Sequence, residues 1–272
     1  MLLALLTAAA CVFVARRFVG ALGAPDADEV GHALEAAALA RPLAAGDVGE
    51  FVARTRLQVF WPFLHRWYLA AAFLVAGIST ETARLACLAA FGATILAAYA
   101  LAQGLREAEG EKTPAPLFGL LSAALLMTTP DLWSKSIRVM MESLGMFAGT
   151  AALAALAFAV ARRSRGLALL AGLLGAAAFL TKYNYGLPLI PALVVAAAFV
   201  PREDGRRLGL AREVALGAGL PLALWFLDRP VMKLDALREF AQNRDEGLSF
   251  FANLFFYPLE LCLLYTSPSP RD

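Results

Sequence analysis

The sequence predicts an all-α, polytopic membrane protein, and its composition, its long apolar runs and the charges of its loops predict it. Hydrophobic residues make up 60% of the 272 residues, and the mean hydropathy is +0.65. A soluble domain of this size is only about half apolar, so the composition indicates an integral membrane protein. The formal net charge of +2 is too small for the basic surface that a nucleic-acid partner selects.

The first apolar run, residues 1–23, is long enough to cross a bilayer. We interpret it as an uncleaved first span. A secretory signal is the alternative, because residues 2–15 could be the apolar core of one, although no basic region precedes them. Arg16 and Arg17 at its far end conflict with the positive-inside rule if the N-terminus is cytoplasmic. They either snorkel or face a polar cavity, or the chain lacks residues upstream.

The segment at residues 33–77 is predicted to form helices at the membrane surface. Residues 33–45 form an amphipathic pattern, and residues 50–56 a second short helical piece. Residues 62–77 are apolar but short, and they open with His65 and Arg66 among aromatic residues, which is typical of an interface. If this segment crossed the bilayer, the basic loop at 162–165 would leave the cytoplasm. We therefore expect it to be a juxtamembrane or re-entrant helix on the outer face.

Six later apolar segments complete a total of about seven predicted spans. Some approach the roughly 20 residues that a span needs and others are short. The basic loops predict the cytoplasmic side, and the loops between them predict the opposite side. The spans are residues 82–105, 117–130, 144–161, 167–180, 186–200 and 208–227; the basic loops are 162–165 and 202–207; the outer loops are 131–142, 181–185 and 228–249.

The C-terminal residues 261–272 break the preceding aromatic and apolar pattern. They resemble the translated sequencing-adapter tail found at the ends of assembled reading frames. We therefore expect residues 1–260 to be the membrane module. The native chain is expected to continue past Glu260. Cys11, Cys87 and Cys262 lie in apolar stretches without ligand spacing. We predict buried bystanders, with neither a disulfide framework nor a metal site.

An acidic motif, residues 25–32, follows the first span. Asp28 and His32 are one helical turn apart, so they would share a helix face. A partly desolvated Asp28 could act as a general base, with Glu29 or His32 orienting it or binding a cation. The alternative is an acidic loop in which Asp28 or Asp26 caps the next helix.

Two further charged groups lie at the ends of predicted spans. Arg138 and Glu142 are functional candidates because charges at such positions are costly, and an i,i+4 salt bridge is the alternative. Lys182 lies between two apolar segments, where it could bind a phosphate with Tyr183 and Asn184 donating hydrogen bonds. Snorkelling beside an aromatic belt is the alternative for Lys182.

The order of these motifs resembles the GT-C superfamily of membrane glycosyltransferases that use polyprenyl-phosphate sugars, near the bacterial protein O-mannosyltransferase and aminoarabinose transferase branch. The matching motifs are Asp28-Glu29-x-x-His32, Phe60-Trp-Pro-Phe-Leu-His65, Arg138-x-x-x-Glu142 and Leu180-Thr-Lys182. The chain departs from the family where His32 replaces a tyrosine and Trp61 replaces a lysine before proline. The second departure argues against aminoarabinose as the sugar.

The resemblance implies a GT-C type transmembrane module with juxtamembrane helices on the outer face. It implies that Asp28, with Glu29, activates the acceptor, and that Lys182 and Arg138 bind the donor phosphate. Glu142 would support the site or a metal. The remaining supporting residues would be His32, His65, Tyr183 and Asn184.

The implied activity is inverting transfer of a hexose or pentose from a polyprenyl-phosphate donor to a lipid, glycan or protein hydroxyl. The site would face the periplasm from the bacterial inner membrane. No cofactor is implied with certainty, and a divalent cation is left open. A membrane transporter or a non-catalytic assembly subunit is the alternative, although no internal repeat supports a transporter.

Overall fold

A computed structural model of the chain describes residues 2–58, 60–111, 116–200 and 209–242, the last six without their side chains. These residues form helices and no strand, in agreement with the predicted all-α class. The helices are α1 Leu2–Val14, α2 Ala27–Ala44, α3 Val48–Arg56, α4 Leu64–Ala76, α5 Thr80–Ala108, α6 Pro116–Met127, α7 Pro130–Ser136, α8 Glu142–Arg162, α9 Arg165–Thr181, α10 Tyr183–Ala198, α11 Gly209–Leu227 and α12 Pro230–Gln242.

Four helical stretches of the described chain are long and apolar enough to cross a membrane. They are Leu2–Val19, which adds a π-helical turn to α1, and helices α5, α8 and α11. The pair α6 and α7 makes a fifth if it is one span bent by 67°. Helices α9 and α10 are apolar but have only 17 and 16 residues. The structure thus supports a multi-pass membrane protein, and the total of about seven spans stays a prediction.

Helix α11 carries an exposed apolar stripe of the kind that faces lipid. Leu216, Leu220 and Leu224 are spaced four residues apart, and each is more than half exposed. Residues at this spacing lie on one side of a helix. In water such a stripe would be unfavourable, whereas lipid covers it at no cost.

Ion pairs at the helix ends establish the directions of the spans. Arg162 Nε lies 2.8 Å from Glu107 Oε1, which joins the C-terminal ends of α5 and α8. Lys182 Nζ lies 2.7 Å from Glu142 Oε1, which joins the end of α9 to the start of α8. Helices α5 and α8 therefore run parallel, and α9 runs antiparallel to both. The basic end with Arg162 and the end with Glu142 and Lys182 are opposite ends of the bundle, as the loop charges predict.

Helix α2 begins within the acidic motif, six residues earlier than the amphipathic pattern predicts. Asp26 is its N-cap, and its carboxylate accepts a hydrogen bond of 2.9 Å from the backbone N–H of Glu29. The Glu29 carboxylate reaches back to the Asp26 N–H, which completes a capping box. Asp26, and not Asp28, is therefore the cap. Asp28 lies in the first turn of the helix.

Helix α4 has 13 residues, about 20 Å, which is too short to cross a bilayer. It packs against α2 and α5 through a buried cluster that includes Leu39, Leu69 and Phe73. The expectation that this segment does not cross agrees with that length. His65 and Arg66, the polar residues of its first turn, are both buried.

The predicted span at residues 117–130 corresponds to α6, which ends at Met127, and Pro130 then starts α7 in a new direction. A proline removes a backbone donor and disfavours helical geometry at the residue before it.

The chain divides into two compact units, Met1–Trp225 and Phe226–Asp272. The predicted cytoplasmic loop at 202–207 and the predicted artefactual tail lie outside the described residues, as does Cys262. Cys87 is buried and Cys11 partly so, and both are free.

Candidate functional site

A tight turn between α9 and α10 presents Lys182. Lys182 has extended backbone angles, φ −156° and ψ 127°, and separates the last residue of α9 from the first of α10. Gly186 allows the two helices to meet, since a Cβ there would lie 2.2 Å from the Cβ of Phe179. The turn places the lysine at the end of the bundle that also carries the acidic motif.

Lys182 forms an ion pair and an aromatic contact. Its ammonium lies 2.7 Å from Glu142 Oε1 and 5.5 Å from the centre of the Trp61 ring. About a fifth of each charged side chain is exposed. The second carboxylate oxygen of Glu142, Oε2, is buried and has no hydrogen-bond partner among the described residues.

His32 and His65 stack edge to face beside this pair. Their ring centres are 5.4 Å apart and their planes meet at 84°. Burial lowers the pKa of His65 well below its usual range, and the charges of Arg66 and Lys182 lower it further. Both imidazoles are therefore neutral at physiological pH, because the pKa of His32 is lowered too.

Several predicted site residues meet around His32. Burial and the positive charge of Arg66 lower the His32 pKa, the carboxylates of Asp28 and Glu142 raise it, and Lys182 lowers it again. These groups come from α2, α4, the start of α8 and the α9–α10 turn. The contacts agree with this, because Lys182 pairs with Glu142 and lies against the Trp61 ring, and the Trp61 carbonyl accepts from Arg66 beside the stacked histidines. We call Asp28, Glu142, Lys182 and both histidines the outer cluster.

Glu29 forms a buried ion pair with Arg84 of α5. Both guanidinium contacts measure 3.0 Å, and the backbone N–H of Val139 donates a 2.9 Å hydrogen bond to the same carboxylate. Burial alone would raise the pKa of Glu29, but the hydrogen bonds from Arg84 and Val139 and the positive charge of Arg84 outweigh it and lower the pKa. Glu29 therefore ties α2 to α5 and to the loop before α8, and stays ionised. This contact orients the turn that carries Asp28.

Arg138 and Glu142 do not form the i,i+4 salt bridge that their spacing allows. Helix α7 ends at Ser136 and α8 begins at Glu142, so Arg138 lies in the loop between them. Its guanidinium lies 3.1 Å from Asp26 Oδ2, and both side chains are about half exposed. Helical spacing does not apply here because residues 137–141 are not helical: the Val139 N–H donates to Glu29, and the Met140 N–H donates to the Arg138 carbonyl.

The other predicted supporting residues differ in their surroundings. Tyr183 is fully buried, and its ring packs edge to face on Phe179 at 5.0 Å. The Asn184 side-chain oxygen is buried and has no hydrogen-bond partner among the described residues. The expectation that both donate to a phosphate stays a prediction.

Sequence reasoning missed Arg84 as a partner of Glu29, and missed the ion pair of Arg66 with Glu35. A signal for Arg84 existed, because a lone charge three residues into a predicted span requires a partner. Nothing in the linear pattern names that partner, which is 55 residues away in the chain.

In the part of the chain that the structure describes, no three His, Cys, Asp or Glu side chains lie close enough to hold a metal ion. The outer cluster can supply the exposed Asp28 carboxylate, two neutral imidazoles and one cation, Lys182. Such a set can abstract a proton, bind hydroxyl groups and stabilise an anion.

Comparison of the chain with protein-family models, with curated proteins and with solved structures finds no match. The resemblance to GT-C glycosyltransferases receives no support from these comparisons and depends on the residue motifs alone.

Proposed function

We propose that this protein is a multi-pass membrane glycosyltransferase that moves a sugar from a polyprenyl-phosphate donor to an acceptor hydroxyl at the outer end of its helical bundle. The observation that carries the proposal is the 2.7 Å pair of Lys182 with Glu142 at the end of the bundle where Asp28 and His32 share one face of α2, so that the charges of all three residues act at His32. These residues lie up to 154 positions apart in the chain, and solvation of separate loops would not require them to meet. Polar residues gathered at one end of the bundle favour an enzyme over a transporter, whose sites lie near the bilayer midplane.

The donor phosphate is assigned to Lys182. The lysine ammonium has three donors, of which Glu142 takes one, so donors remain for a phosphate oxygen. Its position at a helix end suits a lipid-linked phosphate, whose chain stays in the bilayer while the headgroup reaches the interface. Arg138 offers a second cation for the same phosphate, since its pair with Asp26 is exposed and worth little.

Asp28 is assigned as the general base. Its side chain is exposed in the first turn of α2, where an acceptor can approach it, and it belongs to the same helix face as His32. The acceptor oxygen forms a bond to the anomeric carbon as its proton passes to Asp28. The bond between the anomeric carbon and the phosphate oxygen breaks, and the lipid phosphate leaves with the electron pair. The configuration at carbon inverts.

Lys182 contributes to the rate because negative charge develops on the leaving phosphate in the transition state. Removing one such stabilising donor from an enzyme site costs on the order of a hundred- to a thousandfold in rate. A scaffold subunit would tolerate the same substitution. The effect of Lys182→Ala on transfer therefore separates these two classes of protein.

The test uses membranes that contain the full chain and a labelled polyprenyl-phosphate sugar. Asp28→Asn abolishes transfer while the protein still accumulates in the membrane. Asp131→Asn is the matched control, because Asp131 is also an exposed aspartate in the first turn of a helix, α7. Transfer that persists in Asp28→Asn at the wild-type rate would refute the assigned base.

A further inference from the structure

His65 is a fully buried polar side chain whose ring nitrogens form no hydrogen bond within the described part of the chain. Its exposed fraction is 0%, and neither ring nitrogen has a hydrogen bond to any described residue. A neutral imidazole carries one donor and one acceptor, and buried polar groups in proteins are nearly always paired. Two unpaired nitrogens on one buried ring therefore point to a ligand that supplies both an acceptor and a donor.

A second unpaired atom lies in the same cluster. Glu142 Oε2 is buried without a hydrogen bond among the described residues, whereas Oε1 of the same carboxylate accepts from Lys182. Lys182, which pairs with this carboxylate, lies 5.5 Å from the centre of the Trp61 ring, and the Trp61 carbonyl accepts a hydrogen bond from Arg66, the residue after His65. The unpaired atoms thus include a carboxylate acceptor and an imidazole that can both donate and accept.

The two kinds of group in the cluster suit two parts of one ligand. Lys182 is the cation that can bind an anion such as phosphate, because Arg66, the other cation beside the histidines, is buried and paired with Glu35. The two histidines are neutral because burial and these cations lower their pKa values. A neutral imidazole adds little to phosphate binding, but it matches a hydroxyl group, which also donates and accepts.

We propose that His65, stacked on His32 within the outer cluster, binds hydroxyl groups of the sugar on the lipid-phosphate donor. This inference rests on the proposed function and assigns the sugar-recognition part of the same site. His65 is then a specificity-determining residue, distinct from Lys182, which binds the phosphate.

Nitrogen NMR of the histidine rings can test this proposal, because the chain contains only two histidines, His32 and His65. Isotopically labelled histidine in the full chain, reconstituted in lipid nanodiscs, gives nitrogen resonances from these two rings alone. The probes are a short-chain polyprenyl phosphate and the same lipid phosphate carrying mannose or glucose. We expect a sugar-bearing lipid to shift the His65 ring nitrogens and the bare lipid phosphate to leave them nearly unchanged.

Affinities for the same probes test the assignment by substitution. His65→Phe is expected to weaken binding of the sugar-bearing lipid about three- to tenfold, since one or two hydrogen bonds are lost, and to leave the bare lipid unaffected. Tyr68→Phe is the matched control on the same helix, because it removes a buried hydroxyl that hydrogen-bonds to the Ala86 carbonyl. Lys182→Ala is expected to weaken binding of both lipids.

The outcomes separate the two proposals. If the wild-type chain binds neither lipid, the proposed function fails and this inference fails with it. If both lipids bind equally well and the histidine nitrogens do not respond, only the inference is overturned. Should His65→Phe not fold, the wild-type resonances and the variant His32→Phe, which removes the stacked ring, decide the matter by the same two criteria.

Discussion

Removing Arg84 should destabilise the protein strongly, because it leaves the Glu29 carboxylate buried without its counter-charge. The two side chains are 3% and 6% exposed, and two contacts of 3.0 Å join them. In Arg84→Ala the carboxylate keeps hydrogen bonds from the Val139 and Asp26 backbones but loses the only cation bonded to it among the described residues. Breaking one partner of such a pair costs about 3–5 kcal/mol in the free energy of unfolding.

A neighbouring exposed pair supplies the matched control. Arg138 and Asp26 link the same start of α2 to the loop before α8, but their side chains are 50% and 46% exposed. Solvent screening limits such a pair to about 0–1 kcal/mol. The difference between Arg84→Ala and Arg138→Ala therefore measures the effect of burial on two otherwise similar contacts.

The assay is chemical unfolding of the purified protein in mixed micelles, followed by circular dichroism. The double variant Glu29→Gln with Arg84→Met should recover most of the loss, since it leaves no uncompensated charge. An Arg84→Ala protein that is as stable as Arg138→Ala, within about 1 kcal/mol, would refute the assignment of a buried ion pair.

Three further predictions follow from the described contacts. The folded-state pKa of Glu29 is lowered, so its stabilising effect is complete above the ordinary pKa of 4.5 and is lost as the pH falls through the folded-state pKa. Thermal unfolding measured from about pH 7 to about pH 3 should show this loss of stability. The unfolding temperature of Glu29→Gln should depend less on pH below 4.5. Gly217→Ala should destabilise the protein by about 1–3 kcal/mol, because the new Cβ would lie 2.2 Å from the Leu169 carbonyl oxygen. Gly219→Ala on the same helix is the control, because its Cβ would meet nothing within 4 Å and stability should not change. Equal unfolding midpoints for the two variants would contradict the close approach of α9 and α11. Single cysteines replace Asp28 or Arg163 in a variant without the native cysteines. They should react with a membrane-impermeant thiol reagent from opposite sides of the membrane, since the two positions lie at opposite ends of the bundle. Labelling of both positions from one side would exclude the helix directions described above.

Much of the fold could be predicted from the sequence, because the composition and apolar runs act locally. The predicted spans at residues 82–105, 144–161 and 208–227 correspond to α5, α8 and α11, with ends that differ by no more than three residues. Bilayer thickness sets the length of a span, and a charge at its end is costly to move, so both signals survive any tertiary arrangement. The short helix α7 was less predictable, since polar residues at 131–136 made this stretch part of the predicted outer loop.

The site residues could be nominated from the sequence but not connected. Asp28, Glu142 and Lys182 stood out as charges beside apolar runs, which is a local property. Their shared neighbour His32, and the assignment of Lys182 to Glu142 in place of Arg138, depend on which helix ends lie side by side. Helical spacing favoured the wrong pair because residues 137–141 are not helical.

The sequence by itself determined that this chain is helical and has several apolar runs long enough to cross a membrane, because transfer of apolar groups between water and lipid depends on residue type and run length alone. Only the tertiary structure decided that Glu29 is bonded to Arg84 and that His65 is buried without a hydrogen-bond partner among the described residues. Those two properties arise from contacts across tens of residues, and the energy of a buried charge or imidazole depends on its neighbours in space.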